Sequence, residues 1–342
     1  MPAGRATAGT LDRVLDAVPP AAGAEVMGTG IVSIALTLDG HETLSRILLV
    51  IAAVMWVTLA VLVPLRARRD PERFRADIRT PPALTSVAGT DVLGTRLVLL
   101  GWTWAGIAAL AIAAVIWALL LGPVLRNWKT PTVGASLLLT VATESLAVLL
   151  ATLGLVKPAD WLLVVALAPF VLGLCFYVFV IARFDLHQLT IGHGDHWITG
   201  GALAISTLAA GKILAGAKGL AILGGGGGVL KDVALGLWAL TMLWLPVLVV
   251  AEITHPRLHY DVRRWSTVFP IGMYAACSFR VGAAADAGGI TTFARLWVWI
   301  ALAVWTVVFV AMIYRGVDTI RVQTRAGGGI MEVCLRRTTR DE

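Results

Sequence analysis

Ten long apolar stretches, separated by short polar connections, constrain this chain more than any motif in it. A run of about 17 to 25 mostly apolar residues is long enough to cross a bilayer as a helix. Such runs fall at 21–38, 44–65, 84–101, 102–126, 132–154, 159–182, 196–216, 229–252, 265–283 and 293–315. They alternate in character. The odd-numbered runs carry Gly28, Thr29, Gly30 and Ser33; then Thr85, Ser86, Thr90, Asp91, Thr95 and Arg96; then Thr140, Thr143, Glu144 and Ser145; then Thr199, Ser206, Thr207 and Lys212; then Ser266, Thr267 and Ser278. The even-numbered runs, such as 48–63 and 161–181, offer almost nothing to hydrogen-bond. Polar side chains facing lipid are costly. The odd spans are therefore expected to form an inner ring and the even spans an outer one, in an all-α integral membrane fold of ten transmembrane helices paired as five hairpins.

Composition leaves no room for a large soluble domain: 58% of residues are hydrophobic, 14% are charged and the mean hydropathy is +0.83. Residues 1–18 are polar, with Arg5, Asp12, Arg13 and Asp16. They lack the ordered charged, apolar and cleavage regions of a signal peptide, so the first span is expected to be retained.

The net charge of +7 is sorted by loop and accompanies no nucleic-acid motif. Connections after spans two, four, six and eight, with the tail, hold Arg66, Arg68, Arg69, Arg73, Arg75, Arg79, Arg126, Lys129, Arg183, Arg257, Arg263, Arg264, Arg315, Arg321, Arg325, Arg336, Arg337 and Arg340. The opposite connections hold only Arg46, Lys157, Lys218, Lys231, Arg280 and Arg295. The positive-inside rule then expects a multi-pass cell (inner) membrane protein with both termini cytoplasmic. Three segments result: a cytoplasmic stretch over 1–18, a ten-helix domain over 19–316, and a weakly ordered cytoplasmic tail over 317–342.

Several motifs dissolve under their physical requirements. Gly224 to Gly228 is followed by Val229-Leu230 rather than Lys-Ser/Thr, so it reads as a flexible linker and not a phosphate cradle. Gly28-Thr29-Gly30 lies inside a span with no preceding strand, which removes a dinucleotide reading. Cys175, Cys277 and Cys334 form no CxxC pair. The histidines fall in loops or at span edges, where they cannot serve as buried haem ligands. In Gly192-His193-Gly194-Asp195-His196-Trp197, Asp195 is read as a helix cap and Trp197 as an interfacial anchor rather than as part of a metal site. No cofactor or metal is called for.

Ionisable residues inside spans are the strongest functional clues. Depth counting places Arg96 and Glu144 at one height, roughly 18 Å in, where they are expected to pair across neighbouring inner helices. Asp91 lies nearer the middle, shares a face with Thr95, and is a candidate proton-binding group. Lys212 lies toward the outer end of span seven, where it either snorkels to the interface or draws anions in. The small and hydroxylic residues of the first span suit a pore lining as well as close helix packing.

The segments Val26-Met27-Gly28-Thr29-Gly30-Ile31-Val32-Ser33 and Trp265-Ser266-Thr267-Val268-Phe269-Pro270-Ile271-Gly272 resemble the tellurite-resistance/dicarboxylate transporter family, which includes slow-anion-channel proteins and malate and sulfite permeases. The similarity in span order covers roughly residues 19 to 316. The resemblance implies five hairpins in a quasi-fivefold arrangement around a central pore, a homotrimer in the lipid bilayer, and a pore-plugging aromatic at Phe269 beside Pro270. A proline weakens a helix, and an aromatic ring can gate by dewetting. Asp91, Arg96, Glu144 and Lys212 set this chain apart from the uncharged pores of the channel members, and suit coupled transport at least as well.

The sequence thus reads as a permease or channel for a small anion: a C4-dicarboxylate, sulfite or an inorganic anion. The expected gate is Phe269 with Pro270. The expected lining is Gly28, Thr29, Gly30, Ser33, Thr90, Asp91, Thr95, Thr140, Thr143, Ser206 and Thr267. Arg96, Glu144 and Lys212 are the charge-pair or coupling residues. The alternatives are a proton-coupled dicarboxylate carrier working through Asp91 or Glu144, an exporter of two inverted five-helix repeats, and a membrane enzyme acting on a lipid or isoprenoid. Against the enzyme stands the lack of a DxxxD-like acid cluster at a membrane face.

Overall fold

The structure, a computed structural model, describes residues 15–157, 159–191, 194–217, 227–256 and 260–338, with side chains to residue 316. Arg5, Asp12, Arg13, Gly192, His193, Lys218, Arg257, His259 and residues 224–226 of the glycine run lie outside the described residues, as do the side chains of the tail, Cys334 among them. The long elements are all helical: α1 (Gly23–Leu38), α2 (Glu42–Arg69), the short α3 (Pro71–Asp77), α4 (Thr85–Leu99), α5 (Thr103–Arg126), α6 (Leu138–Val156), α7 (Asp160–Ile181), α8 (Trp197–Ala217), α9 (Gly227–Thr254), α10 (Trp265–Ala284) and α11 (Gly288–Thr338). Among the described residues there is no β-strand, only an isolated bridge between Thr132 and Phe184. The backbone of α11 continues to Thr338, where the sequence suggested a weakly ordered tail.

Two of the tight hairpin turns use one device. Gly40 (φ +88°) ends α1 and Gly101 (φ +97°) ends α4 in the left-handed region. In each, the N–H of the glycine and of the residue after it cap the helix, with His41 donating to the Leu36 carbonyl at 2.8 Å and Trp102 to the Leu97 carbonyl at 2.9 Å. The chain can therefore reverse within a few residues.

Seven helices are long and apolar enough to cross a membrane: Glu42–Arg69, Thr103–Arg126, Gly134–Val156, Asp160–Ile181, Trp197–Ala217, Gly228–Thr254 and Gly288–Gly316. The other three expected spans do form helices. However, α1 and α4 are only 16 and 15 residues long, and α10, with 20 residues, is interrupted by polar side chains. Their neighbours explain why these helices tolerate being short and polar. The spans Gly134–Val156 and Trp197–Ala217 are 89% and 94% buried, whereas the other five long spans are 17% to 28% buried. Almost every residue of α1, α4 and α10 is likewise buried in protein. A sheathed helix meets side chains rather than hydrocarbon, so its polar groups find partners.

The buried helices touch in a closed circuit: α1 packs on α4, α4 on α6, α6 on α8, α8 on α10, and α10 back on α1. Small residues set the spacing. A Cβ on Gly201 of α8 would lie 2.7 Å from the Pro270 ring of α10, and one on Gly272 of α10 would lie 2.7 Å from Ile31 of α1. Each exposed helix packs on the buried helix before it and also leans on the buried helix after it: α2 on α1 and α4, α5 on α4 and α6, α7 on α6 and α8, α9 on α8 and α10, α11 on α10 and α1.

Tryptophans fasten the second set of contacts. Trp56 of α2 donates to Thr90 of α4 at 2.9 Å, Trp117 of α5 to Thr143 of α6 at 3.0 Å, Trp238 of α9 to Ser278 of α10 at 2.9 Å, and Trp305 of α11 to Thr29 of α1 at 3.0 Å. An indole N–H turned into the protein needs an acceptor, and each hydroxyl provides one.

Candidate functional site

Where the five buried helices converge they enclose a cavity of about 10 Å³, room for about one water. All five contribute: Ile31 and Ile34 from α1, Asp91, Val92 and Thr95 from α4, Ser145 and Val148 from α6, Ile205 and Leu208 from α8, and Met273 from α10. The first lining residue of each helix (Ile31, Asp91, Ser145, Ile205, Met273) sits a similar six to eight residues beyond that helix's start. The five helices thus meet the cavity at a similar point along their lengths.

The cavity is apolar except on the side of α4 and α6. Ser145 Oγ donates to Asp91 Oδ2 at 2.7 Å. Asp91 Oδ1 and Thr95 Oγ1 are buried and have no hydrogen-bond partner. A carboxyl oxygen and a hydroxyl left unsatisfied in a nearly closed apolar chamber are costly. The arrangement can bind a proton, a water or a passing polar solute.

Of the expected lining residues, Asp91 and Thr95 reach this cavity, and several others are turned elsewhere. Thr29 accepts from Trp305 and lies 3.8 Å from Met55 Sδ, so it faces the exposed helices α11 and α2. Ser33 bonds the Ser45 hydroxyl at 2.9 Å and its carbonyl at 2.7 Å, on α2. Thr90 and Thr143 accept tryptophan N–H groups from outside. Gly28 faces Trp265 and Val268 of α10, and Gly30 faces Val92 of α4, so these glycines serve helix contact. Ser206 donates to Glu144 Oε1 at 2.9 Å, between α8 and α6. Thr140 and Thr267 are buried but absent from the cavity lining. These placements share one cause: each buried helix packs on two buried and two exposed helices, and only a narrow stripe is left to line the cavity.

The expected Arg96–Glu144 pair is not formed. Arg96 turns to α2, with Nη2 2.8 Å from Glu42 Oε1 and Nε 2.8 Å from Ser45 Oγ. Glu144 is fully buried against α7 and α8, with Oε2 unpartnered, and Gly173 leaves room for it: a Cβ there would lie 2.5 Å from its Cγ. Equal depth did not ensure pairing, because the two side chains leave their helices in different directions. Lys212 does not snorkel either. It is 1% exposed, and its Nζ donates to Thr152 Oγ1 at 2.7 Å. Trp197, expected at the interface, is buried and donates to Glu252 Oε2 at 3.0 Å.

Phe269 is wholly buried. It lies four residues before the cavity-lining Met273, hence on the same face one turn nearer the start of α10. Its neighbours fix that direction: Val268 meets Gly28 of α1, and Pro270 meets Gly201 of α8, so Phe269 projects between the two flanking helices. The apolar lining residues Ile31, Ile34, Val148, Ile205, Leu208 and Met273 were missed by a search for polar groups. On three of the spans the signal was helical spacing, Ile31 with Ile34, Ser145 with Val148 and Ile205 with Leu208, as Asp91 and Thr95 are spaced on α4.

A family model described as voltage-dependent anion channel matches residues 17–313. Uncharacterized membrane proteins from two strains of Mycobacterium tuberculosis are each 34% identical over 159 residues, which is 44% of this chain and 80% of the relative.

Proposed function

We propose that this chain, which belongs to the voltage-dependent anion channel family, carries a small anion along the axis of its five buried helices. The observation that supports this most is the axial cavity to which all five contribute. The proposal includes the finer architecture: ten spans as five hairpins in a quasi-fivefold ring, supported by the closed circuit of helix contacts. It also includes the sidedness, with the starts of the buried helices in the cytoplasm, supported by the arginines clustered at 66–79 and 263–264. Assembly as a homotrimer in the bilayer belongs to the same reading, and light scattering of the detergent-solubilised protein tests it.

Phe269 is the proposed gate. It is wholly buried one turn before the cavity-lining Met273 on the same face of α10, beside Pro270, whose missing N–H loosens the helix there. An aromatic ring in an apolar constriction excludes water, and with it an ion. The candidate substrates remain a C4-dicarboxylate, sulfite or an inorganic anion. The test is flux of chloride, nitrate, sulfite and malate into proteoliposomes, with and without a pH gradient, for wild type and Phe269→Ala. A gradient-independent rise of about tenfold or more in the variant is expected; equal flux in both removes Phe269 as gate.

One observation favours a second reading, a proton-coupled carrier. The unpartnered Asp91 Oδ1 lies in the path. A carboxyl that takes a proton and releases it on the other side can couple an anion to a proton gradient. Flux that appears only with the gradient, and does not rise in Phe269→Ala, selects this reading.

A further inference from the structure

Beyond the cavity, away from Phe269, the axis-facing stripe changes from apolar to cationic. Lys212 of α8 lies four residues after Leu208 and seven after Ile205, both cavity-lining. Arg280 of α10 lies seven residues after Met273, and Thr152 of α6 lies four after Val148 and seven after Ser145. Four residues is about one turn and seven about two, so all three continue the stripe that lines the cavity, roughly 6 to 10 Å farther along the axis. Their helices are consecutive in the buried circuit. At this height α8 and α10 nearly touch, because a Cβ on Gly211 would lie only 3.3 Å from the Arg280 carbonyl carbon.

The cations here lack compensation. Lys212 is 1% exposed and donates to Thr152 Oγ1, whose own proton is given to the Val148 carbonyl at 2.6 Å. A protonated Lys212 would have two further N–H groups to offer. Arg280 is half-buried, and its Nε is buried without a hydrogen-bond partner. Neither forms an ion pair with a carboxylate among the described residues, while Arg66, Arg96 and Arg264 all do. A fully buried lysine near a half-buried arginine, with no carboxylate among the described residues to pair with either, is costly in its charged form unless an anion joins them. Sequence position alone had assigned Arg280 to an external loop, so its place on the stripe is a product of the fold.

We propose that Lys212 and Arg280, with Thr152 beside them, form an anion-binding site at the far mouth of the axial path. The site takes a small inorganic anion or carboxylate and concentrates it before the apolar stretch. This rests on the axial-transport reading and deepens it.

The test uses full-length protein in two assays at fixed ionic strength, with gluconate replacing chloride. In detergent, chloride is titrated against thermal unfolding. In proteoliposomes, uptake of external chloride is measured. Lys212→Gln and Arg280→Gln are expected to raise the half-saturating chloride about tenfold in both assays, while Lys212→Arg keeps the charge and the wild-type response. Arg280 is partly solvated, so Arg280→Gln is the variant that folds even if Lys212→Gln does not. A chloride response identical in wild type and Arg280→Gln overturns the site, even if transport proceeds. Loss of the chloride-dependent stabilisation in that variant, with no flux in any protein, sustains the site and overturns the transport reading instead.

Discussion

Trp305 on the last helix donates its indole N–H to Thr29 on the first at 3.0 Å, joining residues 276 apart in the chain. The bond closes the circuit that Trp56–Thr90, Trp117–Thr143 and Trp238–Ser278 build between other exposed and buried helices. It gives the hydroxyls of the polar spans a structural use: several are acceptors for an outer layer of tryptophans.

Breaking that closure is expected to loosen the fold without changing its helix content. Trp305→Phe and Thr29→Val should each cost about 1 to 3 kcal/mol, from a lost buried hydrogen bond and an orphaned partner. Their double variant should cost less than the sum, with a coupling of about 0.5 to 2 kcal/mol. Denaturant unfolding in detergent measures all three, and strict additivity would count against the bond.

Asp91→Asn replaces the cavity carboxyl with an isosteric neutral amide. Any dependence of flux on a proton gradient should vanish in this variant, since no titratable group remains among the residues lining the cavity. Flux measured at a series of imposed gradients decides the matter; a persisting dependence transfers the coupling role away from Asp91.

Arg96 is fully buried while its partner Glu42 has a side chain 40% exposed. Replacing the carboxylate with an amide keeps one acceptor for the guanidinium, beside Ser45, but removes the neutralising charge. Glu42→Gln should destabilise by about 1 to 2 kcal/mol, less than a fully buried pair would lose because water reaches the carboxylate. Glu144→Gln should leave Arg96 unaffected, and thermal unfolding of the double variant should be additive.

Gly201→Ala places a methyl 2.7 Å from the Pro270 ring, which cannot rotate away. The expected result is a separation of α8 from α10, a loss of about 1 to 3 kcal/mol, and greater basal anion flux through the loosened ring beside Phe269. Thermal unfolding together with proteoliposome uptake reads both effects, and an unchanged melting temperature would show that α8 and α10 do not meet there.

The sequence by itself determined which helices are buried. Polar groups cannot face hydrocarbon, so Asp91, Glu144, Ser206 and Lys212 required protein around their spans, while stretches such as 161–181 did not. It did not determine where each polar side chain points. Successive residues on a helix diverge by about 100°, and a buried helix has axial, lateral and outward neighbours, so Thr29, Ser33, Thr90 and Thr143 turn outward while Ile31, Asp91 and Met273 turn to the axis. Nor could depth alone choose partners. Arg96 takes Glu42 rather than Glu144, and Lys212 takes Thr152 rather than the interface, because rotation and lateral contact are set only when all the helices pack together.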